Sequence, residues 1–274
     1  MGKLIQYIFV LIVMLSCVYI TKEVIEFKKD VILIEDFRSS SAVKRDRMLR
    51  PSVKITMVTL GGLEYYYNSN EIEEPAQEDM FQDLNFSATS ASGFSIKYDP
   101  SSDRSYIVTN DHFCSSGGPL SSIIIEVSSR DSLGSNSTDL AGEIVYTDPS
   151  LDLCLIAAEG FVSPAIVADY GYNPMEFERV YVVGAPSGNF PIILETYISG
   201  FLDKSYIPLG DMATEGFDHI LISESTIPGH SGSAVYNEKG EVIGVIFASM
   251  GSYGGIAISH RDVFEMLRDA NISL

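Results

Sequence analysis

From Pro51 onward, short apolar runs alternate with Gly, Pro, Asp and Ser at intervals that predict an all-β protein of the barrel type. Val53, Ile55, Met57 and Val58 open the pattern. The clearest later strands are predicted over Gly93–Tyr98, Ser105–Val108, Ser122–Val127, Ala141–Tyr146, Leu153–Ala157, Arg179–Val183, Leu194–Leu202, His219–Ser223, Ala234–Asn237, Val242–Ala248 and Gly255–Ile258. Helical periodicity appears only after these, over Ser259–Ala270, where Val263, Met266 and Leu267 share a face and Ser259 is placed to cap. No repeat of fixed period is visible. Two successive β halves of similar length fit inside residues 51–258.

The amino terminus follows another pattern. Leu4 to Ile20 is apolar except for Gln6 and Ser16, with Lys3 before it and Lys22 after it. A spanning helix needs roughly 17–25 apolar residues, and no small-x-small cleavage site follows this run. An uncleaved signal anchor, a transmembrane helix over residues 1–21, is therefore expected. Met14-Leu15-Ser16-Cys17 is a poor match to a lipoprotein box and stands as the minor alternative. The flanking lysines do not orient the segment, because basic residues stand on both sides. Residues 22–50 mix both charges, with a basic patch from Lys44 to Arg50, and are expected to be a juxtamembrane linker. Tyr65 to Asp83, rich in Asn, Glu, Asp and Gln, reads as a long acidic loop.

Composition narrows the function. The 274 residues are 46% hydrophobic and 20% charged, which fits a globular protein with a sizeable core. Eighteen basic against 37 acidic residues give a net charge of −19, which argues against nucleic acid as a partner, since phosphate binding needs clustered Lys and Arg. Cys17, Cys114 and Cys154 are too few for a disulfide framework and lack zinc-ligand spacing, so no metal or cofactor is expected. Cys114 and Cys154 are expected as buried free thiols, with pairing as the alternative if the chain is exported.

Candidate chemistry centres on Ser225-Thr226-Ile227-Pro228-Gly229-His230-Ser231-Gly232-Ser233-Ala234-Val235. A serine on a tight glycine turn can project its hydroxyl while backbone N–H groups face a developing negative charge. Alone, such a stretch is better read as a plain surface turn. Two upstream segments change that. Tyr106-Ile107-Val108-Thr109-Asn110-Asp111-His112-Phe113 puts a histidine just past a strand end, and Thr147-Asp148-Pro149-Ser150-Leu151-Asp152-Leu153 puts an aspartate at the entry to an apolar strand. Serine needs a general base to take its proton, imidazole has a suitable pKa, and a buried carboxylate holds the imidazole in the right tautomer. His219 and His260 stand at the starts of other elements, and His230 is committed to the serine's own turn. Asp148 precedes a proline and reads as a turn residue.

The order His–Asp–Ser is that of chymotrypsin-type double barrels. The blocks Ser92-Gly93-Phe94-Ser95-Ile96, Ile107 to His112, Thr147 to Leu153, Pro228 to Ser233 and Gly240-Glu241-Val242-Ile243-Gly244-Val245 resemble, in order, those of trypsin-like serine proteases, most of all the HtrA/DegP group. Gly184-Ala185-Pro186-Ser187-Gly188 resembles that group's Gly-x-Pro-x-Gly turn. The resemblance covers about residues 51–270 and implies two six-stranded antiparallel barrels with a C-terminal helix, so that residues 51–274 form the protease domain. It implies Ser231 as nucleophile, His112 as general base, Asp152 as orienting carboxylate, and the N–H groups of Gly229 and Ser231 as the oxyanion hole. Ser225 would floor the primary substrate pocket, with Phe247, Ala248 and Ser249 in its wall. With no acidic floor, the pocket is expected to take a small or medium apolar side chain.

Departures from the family pattern are His230 where many relatives have Asn, and Ser233-Ala234 where they have Gly-Pro. No peptide-sensing PDZ domain is expected after the helix. The implied function is a serine endopeptidase acting on protein or peptide substrates, membrane-anchored with its protease domain on the extracytoplasmic face. The alternative is a catalytically silent trypsin-fold scaffold that binds polypeptides. Members of the group often form trimers, so the resemblance leaves a homo-oligomer open.

Overall fold

A computed structural model of the chain describes residues 41–61, 85–118, 121–131, 134–203 and 217–274. The expected anchor over residues 1–21, most of the expected linker and the acidic stretch 65–83 lie outside them. Among the described residues no helix is long and apolar enough to cross a membrane. The chain divides into two compact units, Met1–Arg45 and Asp46–Leu274, and all that follows concerns the second.

Six strands, β1 (Ser52–Gly61), β2 (Asn85–Asp99), β3 (Arg104–Thr109), β4 (Ser121–Asp131), β5 (Gly134–Asp148) and β6 (Leu153–Glu159), close a barrel in the order β1-β2-β3-β6-β5-β4, every pairing antiparallel. The short β7 (Ile166–Val167) leads to a second ring. That ring contains β8 (Arg179–Gly184), β9 (Ile192–Leu202), β10 (His219–Ile222), β11 (Ala234–Tyr236), β12 (Glu241–Ser249) and β13 (Gly255–Ser259). Its order is β11-β8-β9-β10-β13-β12, closed by antiparallel pairing of β11 with β12. The expected pair of six-stranded barrels is present. The addition is β7, which joins β12 in parallel and has too few residues to show a pattern in sequence.

Several strands begin earlier than the apolar pattern suggests. β2 starts at Asn85 and β5 at Gly134, ahead of the predicted Gly93 and Ala141. The added part of β2 includes the exposed run Phe86–Thr89, and in β5 residues 137–139 are exposed, so neither stretch needs an apolar face to pair.

Three apolar clusters account for the rest. Val53, Ile55, Ile107, Ile125 and Ile156 fill the first barrel, and Val180, Val182, Ile198, Ile220, Val235 and Ile243 fill the second. A third cluster joins Phe94, Val108, Leu153 and Leu155 of the first barrel to Val183, Tyr236, Val245 and Ile258 of the second. β6 serves two of these cores at once: Cys154, Ile156 and Ala158 point into the barrel while Leu153 and Leu155 point to its neighbour. Its side chains from Leu153 to Ala158 are therefore all buried, which explains its unbroken apolar run.

At the start of this unit residues 46–49 are helical (α1), and Met48 packs into the third cluster. A single-turn helix, α2 (Asp111–Cys114), follows β3. The last helix, α3 (His260–Asp269), is capped by Ser259, whose side chain accepts from Arg261 N–H at 3.3 Å. It buries Val263, Met266 and Leu267, the predicted face.

Candidate active site

β3 ends at Thr109, and the chain turns at once into α2, which carries His112. Asp152 closes the turn before β6. Its φ of 51° lies in the left-handed region that Asp tolerates better than most residues. The turn itself is made by Asp148, whose Oδ1 accepts from Ser150 N–H at 3.1 Å and Leu151 N–H at 3.2 Å, so the two aspartates divide as the sequence suggests. Ser231 comes from the second barrel, on the turn before β11.

The structure brings His112, Asp152 and Ser231 together. His112 Nδ1 lies 2.8 Å from Asp152 Oδ2 and 3.1 Å from Oδ1, and His112 Nε2 lies 3.1 Å from Ser231 Oγ. Asp152 Oδ1 also accepts from His112 backbone N–H at 2.8 Å. The Asp152 side chain is 2% exposed and that of His112 is 32% exposed, so the carboxylate is dry while the ring edge meets solvent. A buried carboxylate accepts only, so the network assigns the Nδ1 proton to the Asp152 side and leaves Nε2 to accept from the serine hydroxyl.

The turn before Ser231 is equally defined. His230 N–H donates to Ile227 O at 3.1 Å, with Pro228 and Gly229 at the central positions and Gly229 at φ 96°, as a type II turn requires. A Cβ on Gly229 would collide with the Ala185 carbonyl and stand 2.8 Å from Ser187 N. Pro228 O accepts from Ser187 N–H at 2.8 Å. Carbonyl and N–H point in opposite directions across a trans peptide, so the Gly229 N–H faces away from the Pro186–Gly188 turn. Among the described residues, neither the Gly229 nor the Ser231 N–H donates a hydrogen bond, so both are free for an incoming oxygen.

At one place the two barrels thus bring together an imidazole, a buried carboxylate, a serine hydroxyl and two open N–H groups. A family model for the trypsin-like peptidase domain matches residues 91–245. The chain belongs to this family. The trypsin-like peptidase domain is 26% identical over 175 residues to a protein of Pseudomonas putida (strain GB-1) named a probable periplasmic serine endoprotease DegP-like, covering 61% of this chain and 31% of that protein. It is 29% identical over 167 residues to the serine protease HtrA-like of Staphylococcus aureus (strain USA300), covering 58% of this chain and 20% of that one. The chain thus spans less than a third of the length of these relatives. Among solved structures, the HtrA-type protease AlgW with decapeptide is similar with a TM-score of 0.61 at 18% identity, covering 84% of this chain and 67% of that one. The Rv3671c protease from M. tuberculosis in its active form gives 0.57 at 18%, covering 84% and 85%. At this identity the two structures speak for the fold.

One expectation for this trypsin-like domain is corrected. Cys114 and Cys154 are not free thiols but a disulfide, with Cα atoms 6.5 Å apart. α2 and the start of β6 stand side by side, so two cysteines distant in sequence face each other within the first core. The bridge ties the turn bearing His112 to the strand that follows Asp152.

The residues expected around the substrate pocket are arranged as follows. Phe247 is 5% exposed and lies against His219, with ring centroids 4.8 Å apart. Ser225 is exposed and its hydroxyl donates to Gly251 O. Ser249 Oγ accepts from Gly251 N–H at 3.3 Å. Thr226, which no sequence pattern singles out, is buried and donates to Ala248 O at 3.1 Å. A Cβ at Gly255 would lie 2.6 Å from the Thr226 methyl, so this side chain occupies the space that a glycine opens behind it. His230 is buried beside Ser231, its Nδ1 lying 3.2 Å from both Ile227 N and Ile227 O, and desolvation holds its pKa below the usual 6.5.

Proposed function

We propose that this chain is a serine endopeptidase that hydrolyses peptide bonds through an acyl-enzyme. The observation that carries the reading is the 3.1 Å approach of His112 Nε2 to Ser231 Oγ, with the opposite ring nitrogen on buried Asp152. Ser231 Oγ attacks the scissile carbonyl as its proton passes to His112 Nε2. Asp152 stays ionised and stabilises the imidazolium. The carbonyl oxygen, now negative, is received by the N–H groups of Gly229 and Ser231. The intermediate collapses, the C–N bond breaks, and the imidazolium gives its proton to the departing amine. Water then repeats the sequence on the ester, returning Ser231 and releasing the acid.

Residues 51–274 would be the protease domain, with residues 22–50 as a linker and 1–21 as an anchor. The pocket shaped by Ser225, Thr226, Phe247, Ala248 and Ser249 would take a small or medium apolar side chain, for Thr226 takes up depth and none of these five residues offers a carboxylate to a basic one. An extracytoplasmic placement is supported by the disulfide, which persists in oxidising compartments, and by the relative named as periplasmic.

The test is labelling by a fluorophosphonate probe at neutral pH, followed by casein hydrolysis. The wild-type chain labels once and cleaves casein, and Ser231→Ala does neither. Absence of labelling in the folded wild-type protein refutes the peptidase reading and leaves the silent scaffold. Turnover of short esters without casein cleavage refutes the endopeptidase reading alone.

A further inference from the structure

The turn that presents the two open N–H groups is held peptide by peptide. From Pro228 to Ser231 every carbonyl is engaged: Pro228 O by Ser187 N–H at 2.8 Å, Gly229 O by Ser92 Oγ–H at 2.6 Å, His230 O by Ser233 N–H at 2.8 Å and Ser231 O by Ser92 N–H at 2.8 Å. Two of these four bonds come from a single residue of the other barrel.

Ser92 sits on β2, fully buried. Its Oγ accepts from Ala185 N–H at 2.8 Å, which leaves the one hydroxyl proton for Gly229 O. Its own carbonyl accepts from Thr109 Oγ1 at 2.8 Å, at the end of the strand that leads to His112. The chain opposite leaves room for this. A Cβ at Gly184 would stand 2.5 Å from Ser92 Oγ, and a Cβ at Gly232 would collide with the Ser92 carbonyl.

The central peptide, between Gly229 and His230, decides how the two donors are aimed. Gly229 N–H lies on one side of it and Ser231 N–H on the other. Glycine sets only a weak preference for its own torsions, so this plane is held by hydrogen bonds and not by steric restriction at Gly229. Its N–H is tied within the turn to Ile227, while its carbonyl is tied across the barrels to Ser92.

We propose that Ser92 is the positioning residue of this site: its hydroxyl locks the Gly229–His230 peptide and its N–H locks the nucleophile's own carbonyl, so that both open N–H groups converge on one oxygen. The proposal rests on the peptidase reading above for its effect on rate, but not for its effect on the turn. Ser92 touches no reacting atom and acts through Gly229 and Ser231.

The experiment uses the full chain. In Ser92→Ala, end-point labelling with the fluorophosphonate counts intact sites, and kcat and KM are measured per labelled site with a peptide substrate. Labelling reaches the wild-type end point more slowly, kcat per site falls about 10- to 100-fold and KM stays within about threefold, because a displaced donor is felt in the transition state. Ser92→Cys, with a weak donor of similar shape, falls between the two. A second arm needs no turnover: in the Ser231→Ala background, Ser92→Ala raises amide exchange at residues 227–233 about tenfold or more, with the strands of both barrels unchanged. A kcat per labelled site within twofold of wild type, or a loss confined to KM or to the number of sites, overturns the proposal. So does unchanged exchange in the turn. If the wild-type chain never labels, the peptidase reading falls and the exchange arm alone decides the role of Ser92.

Discussion

Asp152 meets His112 twice, taking the backbone N–H on Oδ1 at 2.8 Å and the ring Nδ1 on Oδ2 at 2.8 Å. The carboxylate therefore orients the ring relative to its own backbone, not only relative to the serine. Its carbonyl takes a further bond from Asn110 Nδ2 at 3.0 Å, which pins the turn from the other side.

Asp152→Asn should expose this arrangement. An amide supplies one acceptor where two bonds now end, and its NH2 would face a donor. The ring then turns its Nδ1 lone pair to the amide and its Nε2 proton to Ser231, the wrong tautomer for a base. The expected result is a fall of about 10⁴ in kcat with a native melting curve, against about a millionfold for Ser231→Ala. Steady-state kinetics on a peptide substrate check both.

The Cys114–Cys154 bridge closes a loop spanning a sequence separation of 40 residues, for which chain entropy gives about 4 kcal/mol. Replacing both cysteines by alanine, or reducing the protein, should lower the melting temperature by roughly 10 °C for a domain of this size. Because the bridge joins the hosts of His112 and Asp152, kcat should fall as well while the protein is still folded. Melting curves and turnover measured side by side with and without reductant test the two effects.

The strands and the final helix were legible in sequence because each rests on local pattern, whereas the paired barrels and the three-residue constellation rested on the order His–Asp–Ser and the resemblance that goes with it. β6 announces itself as an unbroken apolar run, and Asp152 lies at its entry, where a buried charge needs a partner. What escaped depends on contacts between distant segments. Ser92 looks like any small strand residue until Ala185 and Gly229 are brought beside it, and Thr226 acquires meaning only against Gly255. The cysteines carried no informative spacing, so free thiols were the expectation. Their pairing follows from α2 lying along β6.

Ser233 stands where many relatives have glycine, and its hydroxyl is buried with no hydrogen-bond partner among the described residues. A buried hydroxyl without a partner costs stability, while the Cβ that carries it is already accommodated. Ser233→Ala should therefore be neutral or stabilising by up to about 1 kcal/mol. Its backbone N–H to His230 O is unaffected by the change. Chemical denaturation of the two proteins decides the sign, and a loss of more than about 1 kcal/mol would mean the hydroxyl has a stabilising role.

His230 gives the fold a pH dependence of definite sign. Burial lowers its pKa below 6.5, against a smaller upward pull from its bond to the Ile227 backbone. His260, whose ring nitrogens lie 3.2 Å from Ile243 O and 3.1 Å from Asp169 O, is lowered for the same first reason. In the unfolded chain both titrate near 6.5, so as pH falls below that value the unfolded state takes up protons first. Their stabilising share is complete above pH 6.5 and is lost as pH falls through the lowered folded values. Asp111 works in the opposite sense: burial raises its carboxyl above 3.8, so it weakens the fold at neutral pH and ceases to do so once protonated. The melting temperature of the wild-type chain should therefore decline from about pH 6.5 toward pH 5 before ordinary carboxylates titrate. His230→Gln should melt lower at pH 7.5 yet lose less between pH 6.5 and 5, and Asp111→Asn should melt higher at pH 7.5. If the His230→Gln curve runs parallel to that of the wild type across this interval, the buried ring is not the group that the acid reaches.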